Sequence, residues 1–251
     1  RRSSVMLLID GDIFCYRAAC ACETDAQVSL DNATAQVKRA FNSILTDVLI
    51  RYPDHDHILY LTGGDNFRHD VAVTAPYKGN RKGERPTLLP AIREYAIGYW
   101  DAVMVEGEEA DDAIAIAASS AHLNDDPIMV SIDKDFDQVA GMHYNFVKKE
   151  EYFVSSEIGL KSFYKQILTG DSIDNIIGVD GIGAGGAHDL IGNCRKETDM
   201  WDICEDQLGY DRALENARLL WLRRTAGQMW MPPRERPKGV RFYGEAASTT
   251  H

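Results

Sequence analysis

The fold of this chain is decided near its beginning, where the sequence reads Val5-Met6-Leu7-Leu8-Ile9-Asp10-Gly11. An unbroken run of apolar residues without alternation is typical of a short strand that is buried on both faces of a parallel sheet. The run is far too short to cross a bilayer, and it lacks the length and cleavage pattern of a signal peptide. We therefore predict a buried strand over Val5–Ile9 that is followed directly by a carboxylate.

Short apolar strands alternate with longer helical patterns through the first 155 residues. The predicted strands are Val5–Ile9, Ile58–Leu61, Val103–Val105 and Ile128–Ile132, and the predicted helices are Ala33–Arg51, Leu88–Trp100 and Glu109–Leu123. Since this alternation is typical of mainly parallel sheets covered by helices on both faces, we predict a three-layer α/β fold. In such sheets, functional residues collect at the carboxyl ends of the strands.

After about residue 155 the pattern changes to helices and glycine-rich turns. We predict helices over Glu157–Leu168 and over residues 210–225, with a helix-like segment at Ser172–Ile177. From Pro232 onward the composition predicts an irregular tail that is mobile after Gly244. The chain is thus expected to consist of an α/β domain over residues 1–155 and a helical part over residues 156–251.

Acidic residues concentrate where the predicted strands end. Nine carboxylates form five clusters, which are Asp10; Asp65; Glu109, Asp111 and Asp112; Asp133 and Asp135; and Asp171 and Asp174. Like charges repel, and a carboxylate that leaves water is costly unless a positive charge compensates. Hard oxygen ligands suit Mg²⁺ or Mn²⁺, and two such ions about 3.5–4 Å apart commonly serve phosphodiester hydrolysis. The clusters therefore predict a two-metal nuclease site.

Two of these clusters have simpler interpretations. The spacing of Asp133, Asp135 and Asp137 suggests a calcium-binding EF-hand loop, but its sixth and twelfth positions are Gln138 and Tyr144 instead of Gly and Glu. That interpretation fails, and the position directly after a strand favours a buried ligand cluster. The acids at residues 109–112 can serve simply as a favourable helix N-terminus, although Glu106 and Glu108 extend the cluster beyond what capping needs.

A basic stretch follows the second predicted strand, in the order Tyr77-Lys78-Gly79-Asn80-Arg81. Lys78 and Arg81 can both reach one phosphate, and Tyr77 can stack on a base for about 1–3 kcal/mol. Further basic residues follow at Lys82, Arg85 and Arg93. The net charge of −12 neither supports nor excludes DNA binding, because nine of the negative charges belong to the carboxylate clusters.

Glycines at 181, 183, 185 and 186 match the pattern GxGxxG. A dinucleotide fold needs this pattern between a strand and a helix, whereas in this chain it follows the helix-like segment. A turn with Gly181, Gly183 and Gly185 can instead offer backbone N–H groups to a nucleic-acid phosphate, or it can be a tight turn between helices. The five cysteines form no CxxC pair, which favours free thiols in a cytoplasmic protein.

In their order and spacing, these motifs together resemble the flap endonuclease or 5′→3′ exonuclease superfamily, which includes phage 5′-nucleases and the nuclease domain of bacterial DNA polymerase I. The matching stretches are Ile9-Asp10-Gly11, Gly64-Asp65, Tyr77 to Arg81, Glu109 to Asp112, Ser131 to Asp135, and Gly170 to Gly183. The resemblance covers roughly residues 5–192. It implies a PIN-like or resolvase-like catalytic domain with a C-terminal DNA-binding part of the helix-hairpin-helix type.

The resemblance also implies roles for single residues. Asp10, Asp65, Glu109 and Asp111 would hold one Mg²⁺ ion, and Asp133, Asp135, Asp171 and Asp174 the other, with Asp112 contributing directly or through water; Mn²⁺ is expected to substitute. Lys78 and Arg81 would bind the scissile phosphate and stabilise its developing charge. These two residues, Asp10 and Asp133 are therefore the expected catalytic residues. Tyr77 and the Gly178–Gly186 turn, with a K⁺ ion, would bind DNA. The local concentration of basic charge adds Lys82 and Arg85 as candidates for DNA binding. The expected substrates are duplexes with a 5′ end or 5′ flap, and RNA–DNA hybrids.

Two departures from the family pattern limit these expectations. Only 27 residues separate Arg81 from Glu109, which is short for the helical arch that some relatives use to thread a free 5′ end. Gly185 and Gly186 stand where relatives usually place basic residues, with Arg195 and Lys196 as candidate substitutes. The alternatives to a DNA nuclease are a PIN-like RNA nuclease and a non-catalytic protein that binds DNA structures. Nothing in the sequence indicates an obligate assembly, so a monomer is expected.

Overall fold

The computed structural model describes residues 5–120, 126–240 and 242, and these divide into two compact units. Unit 1 contains the described parts of Arg1–Asp65, Gly83–Asp133 and Gly141–Tyr152. Unit 2 contains the described parts of Asn66–Lys82, Lys134–Ala140 and Phe153–His251. The predicted mobile tail after Gly244 and the end of the predicted helix Glu109–Leu123 lie outside the described residues.

Strands and helices alternate along the first half of the chain, and helices dominate the second half. The strands are β1 (Met6–Asp10), β2 (Asp56–Asn66), β3 (Val103–Gly107), β4 (Ile128–Val130), β5 (Gly141–Asn145), β6 (Glu150–Val154), β7 (Gly170–Asp171) and β8 (Ile176–Ile177). The helices are α1 (Gly11–Ala21), α2 (Glu23–Val28), α3 (Leu30–Arg51), α4 (Arg68–Val71), α5 (Leu89–Trp100), α6 (Ala110–Ser119), α7 (Ser156–Thr169), α8 (Ala184–Ile191), α9 (Glu197–Leu208) and α10 (Tyr210–Leu220). Among the described residues, no helix has the length and apolar character needed to cross a bilayer.

Six strands form one sheet in the order β3-β2-β1-β4-β5-β6. Strand β1 pairs in parallel with β2 and β4, and β4 pairs in parallel with β5. Leu7, Leu8 and Ile9 are almost completely buried, as expected for a strand with neighbours on both sides. The predicted α/β fold with a mainly parallel sheet is confirmed.

Helices cover the sheet of unit 1 in two layers. Helices α1, α3 and α5 pack with Leu7 and Ile9 of β1 in one hydrophobic core. Leu8 points to the opposite face because side chains alternate along a strand, and α6 contacts β1 from there. The pattern of the sequence did not predict α1, since its buried face consists largely of small residues such as Cys15 and Ala18, which give a weak hydrophobic period.

Gly11, the first residue of α1, is required by a close approach of two chain segments. A Cβ atom at this position would lie 2.7 Å from the backbone oxygen of Tyr60 in β2. Any side chain at residue 11 would therefore push β1 and β2 apart or move the start of α1. The glycine thus keeps Asp10, directly before it, at the edge of the sheet.

Unit 2 is mainly helical, and its core is rich in aromatic rings. Phe163 and Tyr164 of α7 pack with Trp201 of α9 and with Trp230. The separate segments 66–82 and 134–140 belong to this unit because their buried side chains bind the chain at the end of α10. Their hydrogen bonds are Arg68 Nε to Leu219 O at 2.7 Å, Arg68 Nη2 to Trp221 O at 3.0 Å and Gln138 Nε2 to Leu220 O at 2.9 Å.

The prediction of a helix-like segment at Ser172–Ile177 is wrong. Residues 172–175 instead form a turn after β7, and Ile176–Ile177 is the short strand β8, which pairs antiparallel with β7. The carboxylate of Asp171 accepts a hydrogen bond from the Ile173 N–H at 2.7 Å, which offers the backbone an alternative to a helical turn. The helix expected over residues 210–225 ends earlier, at Leu220, and the chain from Pro232 to Val240 is irregular except for one short 3₁₀ turn, as predicted.

Candidate metal centre

Asp10 is the most buried of the predicted ligands in unit 1 apart from Asp112. It lies at the carboxyl end of β1 and also caps α1, since its Oδ1 accepts the Ile13 N–H at 3.2 Å. Its Oδ2 accepts the hydroxyl of Ser131 at 2.8 Å. Burial raises the pKa of Asp10 to about 7, the charges of Asp12 and Asp133 contribute to the rise, and the two hydrogen bonds act in the opposite direction.

Asp12 and Arg93 form a supporting network that was not predicted as such. The Asp12 carboxylate accepts the Thr62 N–H at 2.9 Å and an Arg93 guanidinium N–H, and Arg93 also donates to the Thr62 carbonyl. The Thr62 hydroxyl accepts the Ala110 N–H at 2.9 Å. The network ties α1, β2, α5 and the start of α6 together, and it explains why Arg93 is half-buried rather than available to a phosphate.

Glu109 and Asp112 lie at the start of α6, where the side chain of each residue accepts a hydrogen bond from the backbone N–H of the other. Glu109 is the N-cap residue, and its N–H donates to the Asp112 carboxylate at 3.1 Å in a capping box. Asp112 is completely buried, and Glu109 is only 8% exposed. Capping therefore accounts for part of this cluster, as the simpler interpretation held, while Asp111 is half-buried on a different side of the helix.

Asp65 and Asp133 are exposed. The expectation of a buried ligand cluster at Asp133 and Asp135 is wrong, because β4 ends at Val130, two residues earlier than predicted. Ser131 takes the buried position, and its hydroxyl accepts the Asp133 N–H at 3.1 Å while it donates to Asp10. Ser131 was named only as part of a motif, and its position directly after the apolar run could have identified it.

In unit 2, the carboxylates of Asp135, Asp171 and Asp174 converge. One carboxylate oxygen from each of the three residues lies within 4.8 Å of the others, and all three residues are half-buried. Asp135 comes from a short 3₁₀ helix at Lys134–Gln138, while Asp171 and Asp174 come from residues 170–178, which we call the acidic loop. Gln166 of α7 donates its amide to Asp135, a contact that the sequence did not predict.

A second loop, residues 73–82, meets this acid cluster at Asp174, and we call it the basic loop. Arg81 Nη2 lies 2.7 Å from Asp174 Oδ1, and Lys78 Nζ lies 3.8 Å from Asp174 Oδ2. The Tyr77 hydroxyl donates to Asp174 Oδ2 at 2.9 Å. The Tyr77 side chain is buried in the core of unit 2 and only 5% exposed, so its ring has a packing role and no open face for the predicted stacking on a base.

The remaining predicted DNA-binding residues are exposed. Lys82 belongs to unit 2 and Arg85 to unit 1. Gly181 has a φ of 78°, and Gly183 is the N-cap residue of α8, whose first turn contains Gly185. The first backbone N–H groups of this helix therefore begin at the glycine turn, but the turn follows strand β8 and not the predicted helix-like segment.

The acids in each unit fit a hard divalent cation. In unit 1, the raised pKa of Asp10 means that its ionised form lacks sufficient compensating charge, which a cation would supply. In unit 2, three carboxylate oxygens converge, and a divalent cation would add to the compensating charge that Lys78 and Arg81 already bring to Asp174. The donors are oxygen atoms throughout, which suits Mg²⁺ or Mn²⁺ better than a softer metal.

Comparison with known proteins agrees with this architecture. Residues 5–166 match the family model described as 5′-3′ exonuclease, N-terminal resolvase-like domain. A DNA polymerase I from Pseudomonas aeruginosa is 30% identical over 197 residues, which cover 71% of this chain and only 21% of the polymerase. A 5′-3′ exonuclease from Mycoplasmopsis pulmonis is 26% identical over 227 residues, covering 81% of this chain and 71% of that protein.

Solved structures show the same fold. A complex of the bacteriophage T5 flap endonuclease with DNA and metal ions superposes with a TM-score of 0.64 and 20% identity, covering 86% of this chain and 88% of that one. At this identity the likeness concerns the fold alone. The family match extends from the strand that ends at Asp10 through most of α7. The chain belongs to the flap endonuclease and 5′-3′ exonuclease superfamily.

Proposed function

We propose that this chain is a Mg²⁺-dependent nuclease that hydrolyses DNA from the 5′ end, with 5′-flap endonuclease and RNase H-like activity. The observation that carries the proposal is the acid cluster of unit 2, where Asp135, Asp171 and Asp174 converge and Lys78 and Arg81 contact the same cluster. Metal-dependent phosphodiester hydrolysis uses two components. These are oxygen ligands that hold a divalent metal ion and positively charged side chains that bind the phosphate.

Two divalent ions are proposed, and the family resemblance suggests how the acids divide between them. One ion would be held by Asp10, Asp65, Glu109 and Asp111, the other by Asp133, Asp135, Asp171 and Asp174, with Asp112 acting directly or through water. When bound, such ions activate water for attack and neutralise the negative charge that develops on the phosphate. Mn²⁺ is expected to substitute for Mg²⁺, because both prefer hard oxygen ligands.

Lys78 and Arg81 would bind the phosphate next to the bond that is cleaved. Arg81 offers a planar fork of N–H donors, and Lys78 offers a compact positive charge. The two side chains are partly exposed, and both are held at Asp174 by charge. Their positive charges would stabilise the more negative transition state more strongly than the bound substrate, which raises kcat rather than affinity.

The remaining proposed roles concern DNA binding. Lys82 and Arg85 are exposed and would contact phosphates away from the cleaved bond. The backbone N–H groups after Gly181, Gly183 and Gly185 would bind a duplex phosphate, with K⁺ at the Gly178–Gly186 turn. We therefore propose a catalytic domain over residues 1–155 and a DNA-binding part over residues 156–251 that also supplies Asp171 and Asp174, in a protein that acts as a monomer.

The direct test is cleavage of a 5′-labelled duplex and a 5′-flap duplex with Mg²⁺ and with EDTA. Short 5′ fragments that appear only with Mg²⁺ are expected, and their lengths distinguish exonuclease from flap cleavage. Binding without cleavage would favour the alternative of a protein that binds DNA structures. Cleavage of single-stranded RNA in preference to every DNA substrate would favour a PIN-like RNA nuclease.

A further inference from the structure

Helix α10 lies beyond residues 5–166, the part of the chain that matches the family model. No predicted ligand or DNA-binding residue lies on it. Three of its polar residues nevertheless contact the two loops that carry the reactive groups of unit 2. Glu215 binds the basic loop, whereas Arg212 and Asn216 bind the acidic loop.

The contacts of Glu215 fix the beginning of the basic loop. Its Oε1 accepts the N–H groups of Val73 at 2.6 Å and Thr74 at 2.7 Å, and its Oε2 accepts the Thr74 hydroxyl at 2.5 Å. Hydrogen bonds to a carboxylate are charge-assisted and roughly twice as strong as bonds between neutral groups. Without the Glu215 carboxylate, Val73 and Thr74 would lose this anchor on α10.

The contacts of the neighbouring residues fix the end of the acidic loop. Arg212 Nη2 donates to the carbonyls of Ile177 at 2.9 Å and Gly178 at 3.3 Å. The buried amide of Asn216 donates to Ile177 O at 2.9 Å and to Ile167 O at 3.1 Å. One turn of α10 thus holds both loops, but through different side chains.

The two loops also bind each other directly between these anchors. The Lys78 N–H donates to the Asp174 carbonyl at 2.9 Å, and the Asn175 amide donates to the Pro76 carbonyl at 2.9 Å. Lys78 and Asn175 both have positive backbone φ angles, of 55° and 62°, which residues other than glycine rarely adopt. Such conformations persist only where surrounding contacts determine them, so the anchors on α10 matter for the position of Lys78.

We propose that Glu215 is a positioning residue for the nuclease reaction, because it holds the basic loop so that Lys78 and Arg81 stay aligned with the acid cluster. This inference rests on the proposed function. Arg212 has the corresponding role for the acidic loop. A displacement of about 1 Å in a positioned group can lower a rate about 100-fold, so a loop anchor several residues away from the reacting phosphate has a measurable effect.

The kinetic test compares Glu215→Ala and Glu215→Gln with Glu205→Ala, which changes an exposed glutamate of α9 in the same unit. Glu215→Ala is expected to lower kcat for the 5′-flap duplex about 10–100-fold while KM changes less than about threefold. Glu215→Gln retains a carbonyl oxygen for the two N–H groups and should recover part of the loss. Glu205→Ala should match the wild type.

Two further measurements separate positioning from a general loss of structure. In a Lys78→Ala background, Glu215→Ala should lower kcat less than in the wild type, because the part of its effect that acts through Lys78 is lost and only the part through Arg81 remains. Hydrogen exchange should become faster at Val73 and Thr74 in Glu215→Ala and remain unchanged in the acidic loop. Arg212→Ala should show the opposite distribution, together with weaker binding of Mn²⁺.

The inference is overturned if Glu215→Ala equals Glu205→Ala in kcat, or if its loss of activity is the same with and without Lys78. A loss accompanied by faster exchange throughout unit 2 would also contradict it, since that result indicates unfolding. If the wild-type chain cleaves no substrate, the proposed function fails, and the exchange data still show whether Glu215 anchors the basic loop.

Discussion

In unit 1, Asp10 and the acids at residues 109–112 are placed by regular secondary structure, whereas the acids of unit 2 lie mainly on a loop, where Asp174 contacts positive side chains. Asp10 ends a strand and caps a helix, and Asp112 closes a capping box. Asp174, in contrast, contacts Lys78 and Arg81. The comparison shows two ways in which a fold accommodates clustered carboxylates: by shifting their protonation and by pairing them with cations.

This difference has a functional meaning under the proposed mechanism. The side chains around Asp10 are held by a strand, two helix starts and the Asp12–Arg93 network, so the geometry is fixed before any ligand binds. The Lys78 and Arg81 side chains that contact Asp174 are partly exposed, and under the proposed function they would also bind a phosphate. Unit 1 would then supply a rigid set of metal ligands, and unit 2 would supply ligands together with groups that bind the substrate.

The largest effect is expected from the acids themselves. Asp10→Asn and Asp174→Asn should each lower kcat about 100–1000-fold or more, because a neutral amide does not replace an anionic metal ligand and its charge. The measurement is cleavage of a 5′-labelled duplex in Mg²⁺, with duplex affinity determined separately in Ca²⁺.

The control for these variants is Asp70→Asn, which changes an exposed aspartate of α4 and should cleave at the wild-type rate. Duplex affinity should remain within a few-fold of the wild type in all three variants. An Asp10→Asn enzyme that retains full activity would show that unit 1 supplies no ligand, and the comparison between the two units would lose its functional basis.

The next largest effect concerns the positively charged side chains of unit 2. Lys78→Ala should lower kcat about 100-fold with a much smaller change in KM, because its charge is expected to act on the transition state. The matched control is Lys82→Ala, which removes an exposed lysine from the same loop and should change KM more than kcat. If Lys78→Ala changed only KM, Lys78 would be a residue for docking DNA.

The smallest effect is on stability, and its sign should differ between the units. In EDTA, Asp10→Asn should raise Tm by about 2–4 °C at pH 8, the shift expected for about 1 kcal/mol in a chain of this size. Asp174→Asn should lower Tm, since it removes the charge that Lys78 and Arg81 contact. The measurement is thermal unfolding of both variants and the wild type.

The pH dependence of this stability effect follows from the pKa of Asp10, which is raised from 3.8 to about 7. A raised pKa favours the folded state while the carboxyl is protonated, and this contribution is lost progressively as the pH rises from about 4 to about 7. The advantage of Asp10→Asn in EDTA should therefore be small at pH 4 and larger at pH 8. An advantage that is the same at both values would contradict the assignment.

The sequence predicted the central strand and the position of Asp10 at its end well, because their signals are local. An unbroken apolar run followed by Asp10 gives the buried strand and places the carboxylate at its end. The family resemblance implied that Asp135, Asp171 and Asp174 come together, whereas the sequence pattern predicted a helix-like segment where the structure has a hairpin. The helix α1 was missed because its buried face is made of small residues, which give little hydrophobic contrast.

What the sequence did not predict depends on contacts between distant segments. The burial of Tyr77 follows from its packing in the core of unit 2, and the pairing of Arg93 follows from Asp12, 81 residues earlier. The hairpin formed by the acidic loop is held by the side chain of Asp171 and by Asn216 on α10. Apart from the Asp171–Ile173 bond, which is local, none of these partners is visible from a residue's own neighbours in the sequence.

The central claim is that the acids of each unit hold a divalent ion, and counting bound ions tests it most directly. We would titrate Mn²⁺ into the wild type, Asp10→Asn and Asp174→Asn and follow free Mn²⁺ by electron paramagnetic resonance. The account predicts two ions bound to the wild type and a single tight ion in each variant. A wild type that binds no ion, or variants that both retain the wild-type number and affinity, would contradict it.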